Sequence, residues 1–131
     1  MFKFIHERLV SFRNAIAGWW YVIRSQKNAW IHAVATVVTI IVGFWLQLET
    51  GDWAMIVIVI AMVWTAEFLN TALEIVVDLA SPDLHPLARV GKDVGAAGVL
   101  IAAVSAAIIG FLILGQPLIN KIQQMIAALG N

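Results

Sequence analysis

"WAMIVIVIAMVWTAEFLNTALEIVV", residues 53–77, opens with fourteen uncharged residues and closes with two carboxylates and a carboxamide. A helix needs about 20 residues to cross about 30 Å of hydrocarbon. The run is longer than that, so it reads as a spanning helix whose C-terminal end protrudes toward water. On that helix Glu67, Asn70 and Glu74 stand at i, i+3 and i+7 and share one face. An ionised carboxylate at the centre of a bilayer costs roughly 2.5–3.5 kcal/mol on insertion scales. Glu74 is therefore expected at or near the interface, with Glu67 about two turns deeper. A polar stripe in such a place reads as a functional site.

The rest of the chain agrees with membrane residence. Of its 131 residues 62% are hydrophobic and 12% charged, against about 45–50% and about 25% in soluble domains. The mean hydropathy is +0.91. Two further runs are long enough to span: 29–48 (AWIHAVATVVTIIVGFWLQL), where only His32 and Gln47 are strongly polar, and 94–114 (VGAAGVLIAAVSAAIIGFLIL), which carries no charge. A single domain is expected at this length. The absence of cysteine excludes a disulfide framework and a thiol nucleophile. A net charge of zero offers no field for nucleic acid, which is set aside as a partner. The six tryptophans suit a chain that meets membrane–water boundaries.

The two ends read differently from the spans. In residues 1–24, Ile5, Leu9, Phe12, Ile16 and Ile23 recur at helical spacing among Lys3, Arg8, Arg13 and Arg24. That pattern predicts an amphipathic helix lying in the interface. A signal peptide is the competing reading, opposed by RSQKN (24–28) where a small-residue cleavage site should stand. Beyond Pro117, Leu118, Ile122 and Leu129 predict a short surface helix over 117–129. Basic residues fall in the N-terminal segment and, as Arg89 and Lys92, in the loop 78–93, whereas the loop 49–52 has none. By the positive-inside rule the N-terminus and the 78–93 loop face the cytoplasm. The third run is rich in small residues, among them Gly95, Gly98, Ala102, Ala103, Ala106 and Gly110, which permits close helix approach. Three spans make a thin bundle for enclosing a polar site, and oligomerisation would complete it.

The polar groups gather at one membrane face: Glu67, Asn70, Glu74 and Asp78, then the loop DLASPDLHPLARVGKD (78–93), ending in Lys92 and Asp93. Helices joined by a short loop have their joined ends close together, so these groups are expected to converge. Acidic oxygens can hold a divalent cation, a lysine can meet phosphate, and a carboxylate can take a hydroxyl proton. Together they are parts for magnesium-assisted phosphoryl transfer. Each has a plainer reading. Lys92 and Asp93 suit the interfacial start of a helix, Asp78 a helix end, and His85 an ordinary loop position. Asn70 suits interhelical hydrogen bonding. His32, near the start of the first run, suits a side chain facing a polar partner rather than a ligand. Glu67 with Glu74 is harder to explain structurally. The residues alone leave open an enzyme, an ion-coupled transporter using Glu67, or a proton path.

At these residues the sequence resembles the prokaryotic diacylglycerol kinase family of small integral-membrane lipid kinases. The matching stretches are AEFLNTALEIVVDL (66–79) and SPDLHPLARVGKDVGAAGVLIAA (81–103), with RSQKNAWIHA (24–33) as a weaker one. The resemblance covers about residues 10–115, and the SPDLHPLA loop is more like the Gram-positive undecaprenol kinase branch. It implies an all-α integral membrane protein: three transmembrane helices plus an N-terminal interfacial helix, in a homotrimer of the bacterial inner membrane with composite sites. The implied activity is phosphorylation of a lipid hydroxyl, on diacylglycerol or undecaprenol, by ATP with Mg2+ at the cytoplasmic interface. By resemblance Glu67 is the base, Glu74 binds the magnesium carried with ATP, and Asn70 orders that face. Lys92 and Asp93 meet the nucleotide, with Lys92 on phosphate, and Asp83, Leu84 and His85 line the nucleoside pocket. Two departures stand out. Gln26 occupies the place of a second metal-binding glutamate, and an amide oxygen is a weaker, uncharged ligand. The family's N-terminal substrate-contacting arginine has two candidates here, Arg8 and Arg13.

Overall fold

In the computed structural model, which describes residues 1–81 and 85–129, every regular element is a helix. These are α1 (Phe2–Ser25), α2 (Lys27–Leu46), α3 (Thr50–Ala80) and α4 (Pro86–Leu129). Three of them, α2, α3 and α4, are long and apolar enough to cross a membrane. Large apolar side chains point outward along their length, for example Val57, Ile58, Leu100 and Phe111. Such a surface is unfavourable in water and suited to lipid. The fold is that of an all-α integral membrane protein.

The helix boundaries have local causes. One residue, Gln26, separates α1 from α2. Its backbone is extended (φ −103°, ψ 121°), and its N–H still donates to the carbonyl of Val22 at 2.9 Å. The α2–α3 turn is nearly as tight. Gln47 adopts the left-handed conformation (φ 57°, ψ 50°) that usually falls to glycine or asparagine at a helix end. The N–H of Leu48 then reaches back to the carbonyl of Gly43 at 3.2 Å. Across this turn the rings of Phe44 and Trp53 lie 4.8 Å apart.

Helices α3 and α4 form the most intimate pair, with α2 and α1 laid against them. At 1.5 Å per residue α3 is about 46 Å long and α4 about 66 Å, so both extend beyond the hydrocarbon. The sequence predicts a span over 94–114 and a separate helix over 117–129, whereas α4 is one helix from Pro86 to Leu129. Proline at 117 deletes a single donor, leaving the carbonyl of Ile113 without its i+4 partner. Gln116, one residue earlier, donates its side-chain amide to Asn120 at 2.9 Å across that turn.

Helix α1 is amphipathic, and much of its apolar stripe stays uncovered by the rest of the chain, including Ile5, Leu9, Phe12 and Ile16. Its C-terminal turns dock: Val22 and Ile23 are buried with Ala29 of α2, against Trp64 and Phe68 of α3. Arg24 stacks over Trp20 and Arg8 over Phe4, at 4.8 and 5.2 Å from the ring centres.

Gly43 gives the α2–α3 turn its closeness. A Cβ there would stand 2.9 Å from Cη2 of Trp53 and 3.2 Å from Cδ1 of Leu48. Gly43→Val should therefore destabilise the fold by about 1–3 kcal/mol through overpacking, measured by equilibrium unfolding in mixed micelles. At Gly18 a Cβ meets nothing within 4 Å, and Gly18→Ala should be neutral or slightly stabilising.

Candidate active site

The inner part of the polar stripe of α3 is buried. Glu67 is 2% exposed, Asn70 9% and Thr71 2%. These three are its buried polar side chains among the described residues. They line up with Ile56, Val59 and Val63, so the buried face of α3 changes from apolar to polar at Glu67. Thr71 settles its own hydroxyl locally by donating to the backbone carbonyl of Glu67 at 2.9 Å.

Two turns along, Glu74 is held by amides. Asn70 Nδ2 donates to Glu74 Oε1 at 3.1 Å from one turn earlier, and Gln26 Nε2 donates to Oε2 at 2.9 Å from the α1–α2 junction. Each carboxylate oxygen thus has one neutral donor, which orders the group and leaves its charge uncancelled. The arrangement of α4 supports this clamp. The other atom of the Asn70 amide, Oδ1, is buried without a hydrogen bond and is pressed against Gly95. A Cβ at Gly95 would collide with that oxygen and stand 3.0 Å from Cδ2 of Leu73.

Glu67 faces α2. His32 Nε2 lies 3.8 Å from Glu67 Oε2, with both side chains largely buried. The imidazole stands edge-on to Trp64, the ring centres 6.4 Å apart and the planes at 72°. The Trp64 indole N–H in turn donates to Thr36 Oγ1 at 3.2 Å. Trp19 and Phe68 flank Trp64 at 5.8 and 5.9 Å.

At the water end of the stripe Asp78 and Lys92 join α3 to α4. Lys92 Nζ donates to both Asp78 oxygens, at 2.8 and 3.0 Å, in an exposed pair. The predicted convergence across the loop therefore occurs, and the pair that makes it is Asp78 with Lys92. Asp93 is exposed on α4. His85 serves as a helix start: its Nδ1 accepts the N–H of Leu87 at 3.2 Å, and its carbonyl accepts those of Ala88 and Arg89. Asp83 and Leu84 lie outside the described residues.

The structure thus gathers Glu67, Asn70, Glu74 and Gln26 into one cluster and leaves Lys92 and Asp93 at its rim. His32 proves to face a polar partner, and that partner is Glu67. Sequence reasoning passed over Thr36, Trp64 and Thr71. Thr71 is i+4 from Glu67 and Trp64 is i−3, so helical spacing places both beside it. The Thr36–Trp64 bond joins two helices and has no such signature.

Comparison with known proteins bears on this cluster. A model of the prokaryotic diacylglycerol kinase family matches residues 13–114, which include every helix-borne member of it. The chain is 40% identical to an undecaprenol kinase of Bacillus subtilis over 103 residues, covering 79% of this chain and 84% of that protein. It is 42% identical to a diacylglycerol kinase of Synechocystis over 113 residues, covering 86% of this chain and 65% of that protein. A diacylglycerol kinase of Escherichia coli is 30% identical over 104 residues, covering 74% and 85%.

Gly95 offers a test of the clamp with an internal control. Gly95→Ala should displace Asn70 and lower stability by about 1–3 kcal/mol. At Gly98, one turn on, a Cβ meets nothing within 4 Å. Gly98→Ala should then be neutral or stabilising by up to about 1 kcal/mol through helix propensity. Unfolding of both variants in mixed micelles reads the difference directly.

Proposed function

Because the chain belongs to the prokaryotic diacylglycerol kinase family, we propose that it moves the γ-phosphoryl group of MgATP onto the hydroxyl of a membrane alcohol at the cytoplasmic interface. That it is a lipid kinase follows from the family and its relatives. The acceptor class is the diacylglycerol or undecaprenol type, by analogy with relatives of those names.

One observation carries the reading: two carboxylates on one helix face, one buried at the start of the apolar zone and the other amide-clamped two turns nearer water. Glu67 is the base that takes the hydroxyl proton. Its depth, about 10 Å beyond Glu74 along the helix, suits the headgroup of a lipid whose chains remain in the bilayer. The groove of about 430 Å³ between α1 and α3, walled by Trp19, Val22, Phe68 and Ile75, is apolar and borders Thr71. It supports a role for α1 in shielding the reacting groups from water, as transfer to an alcohol rather than to water requires.

The donor set fits a magnesium ion that arrives with nucleotide. Among the described residues no three His, Cys, Asp or Glu side chains group to hold a metal. Magnesium is commonly bound by one or two carboxylates with substrate phosphates and waters. Glu74 supplies the charge, and Gln26, turned about its last torsion, an amide oxygen. When bound, the ion neutralises phosphate charge in the transition state. Lys92 exchanges its exposed Asp78 partner for phosphate, and Asp93 and His85 lie on the nucleotide's approach. Asn70 keeps Glu74 in place throughout. A homotrimer would close the thin three-span bundle over the site, and the basic N-terminal segment supports a cytoplasmic N-terminus in the bacterial inner membrane.

An ion-coupled transporter using Glu67 would need polar groups continuing to the outer end of α3. The buried positions there are Ile56, Val59 and Val63, which favours the kinase.

Purified protein given MgATP and each lipid alcohol in turn should yield phosphorylated lipid. Glu67→Gln should retain fold and nucleotide binding while losing about 10²–10⁴-fold in rate, the usual contribution of a general base. A residual rate above about a tenth of the parent would remove Glu67 from that role. Glu74→Gln should raise the magnesium requirement sharply, whereas Gln26→Glu should lower it or leave it unchanged. A magnesium titration indifferent to Glu74→Gln would sink the metal assignment.

A further inference from the structure

Nitrogen Nε2 of His32 is buried and has no hydrogen-bond partner within the chain. Most of α2 around it is alanine, valine and isoleucine, and a residue of that kind here would avoid the cost of an unpaired polar atom. The nearest acceptor is Glu67 Oε2 at 3.8 Å, too far for a hydrogen bond yet within reach of a small side-chain adjustment. Catalytic hydrogen bonds are often long before substrate binds. We propose that His32 is a positioning residue for Glu67, holding one carboxylate oxygen so that the other is presented to the substrate hydroxyl. The proposal rests on the reading of Glu67 as the base.

Placement of the imidazole does not depend on Glu67. Trp64 holds it edge-on, Thr36 anchors Trp64, and Trp19 and Phe68 flank the indole. The ring is thus set by packing before any ligand arrives, which is what preorganising a reactive group requires. Among the described residues, no other ionisable group competes for it. Helix α4 brings Ala103, Ala106 and Ala107 to the cavity beside His32, and α1 brings Trp19 to Trp64. On α3 the next carboxylate, Glu74, is engaged by Gln26 and Asn70.

The chemistry is then specific. With Oε2 turned toward a donor Nε2–H of His32, Oε1 takes the proton as the hydroxyl O–H bond breaks. The alcohol oxygen forms its bond to the γ-phosphorus of ATP while the bond from that phosphorus to the β–γ bridging oxygen breaks. The electron pair leaves with ADP. His32 remains a donor throughout and touches neither substrate nor phosphate.

A double-mutant cycle separates this role from ordinary packing. Lipid phosphorylation is measured for His32→Phe, Glu67→Gln and the double variant, at saturating and varied ATP. His32→Phe should lower kcat about 10–100-fold with KM for ATP within about twofold. In the Glu67→Gln background the same substitution should change kcat by less than about twofold, because residues acting as a unit are not additive. His32→Gln, which keeps a donor, should recover a large part of the loss. Should His32→Phe fail to assemble by size-exclusion chromatography, His32→Ala with and without added imidazole takes its place, and rescue is expected. A kcat within about twofold of the parent, a full multiplicative loss on top of Glu67→Gln, or absence of imidazole rescue overturns the proposal. If Glu67→Gln alone keeps near-parental activity, the base reading falls and this proposal falls with it.

Discussion

A carboxylate buried against apolar helices must be compensated from within the chain, and the architecture around Glu67 follows from that requirement. Burying a polar atom without a hydrogen bond is costly, so most of the polar atoms here are met by a neighbouring element. Helix α2 brings His32 to 3.8 Å, short of a hydrogen bond, Thr71 turns its hydroxyl onto the backbone, and Trp64 spends its indole N–H on Thr36. Two turns along, Glu74 faces the same demand less severely and meets it with two amides. The close contact of α4 at Gly95 belongs to the same logic, since a side chain there would drive Asn70 out of line. Packing and chemistry are therefore set by the same few atoms.

Much of this was legible in the sequence because membranes simplify the code. Apolar runs of spanning length mark the helices, and on a helix Glu67, Asn70 and Glu74 can only share a face. Positions within one helix were thus readable, as were the two ends brought together by the 78–93 loop. What could not be read was which helix meets which residue. The His32–Glu67 approach and the Gln26–Glu74 bond join positions 35 and 48 residues apart; neither spacing leaves a periodic trace, and only the family resemblance put Gln26 near Glu74. Gly95 was one of many small residues in its run, and only the approach of Asn70 sets it apart. The continuity of α4 past Pro117 was missed because proline there was read as a boundary, whereas one lost donor does not end a long helix.

The Asp78–Lys92 pair is the convergence that the sequence anticipated, with the partner on α3 left open there. Closure of the loop does bring Lys92 to α3, but its short reach puts it on the last turn, where Asp78 stands exposed. A surface pair of this kind is worth little. That weakness suits the exchange of partners proposed for Lys92.

Gln26 joins two features that are usually separate. Helices α1 and α2 have no spare chain between them, so α1 cannot slide along the bundle. The angle between the two helices is set by the two dihedrals of a single residue. The side chain of that same residue grips Glu74. The pivot of α1 thus sits in the polar cluster, so a tilt of that helix at Gln26 would carry with it the amide that grips Glu74.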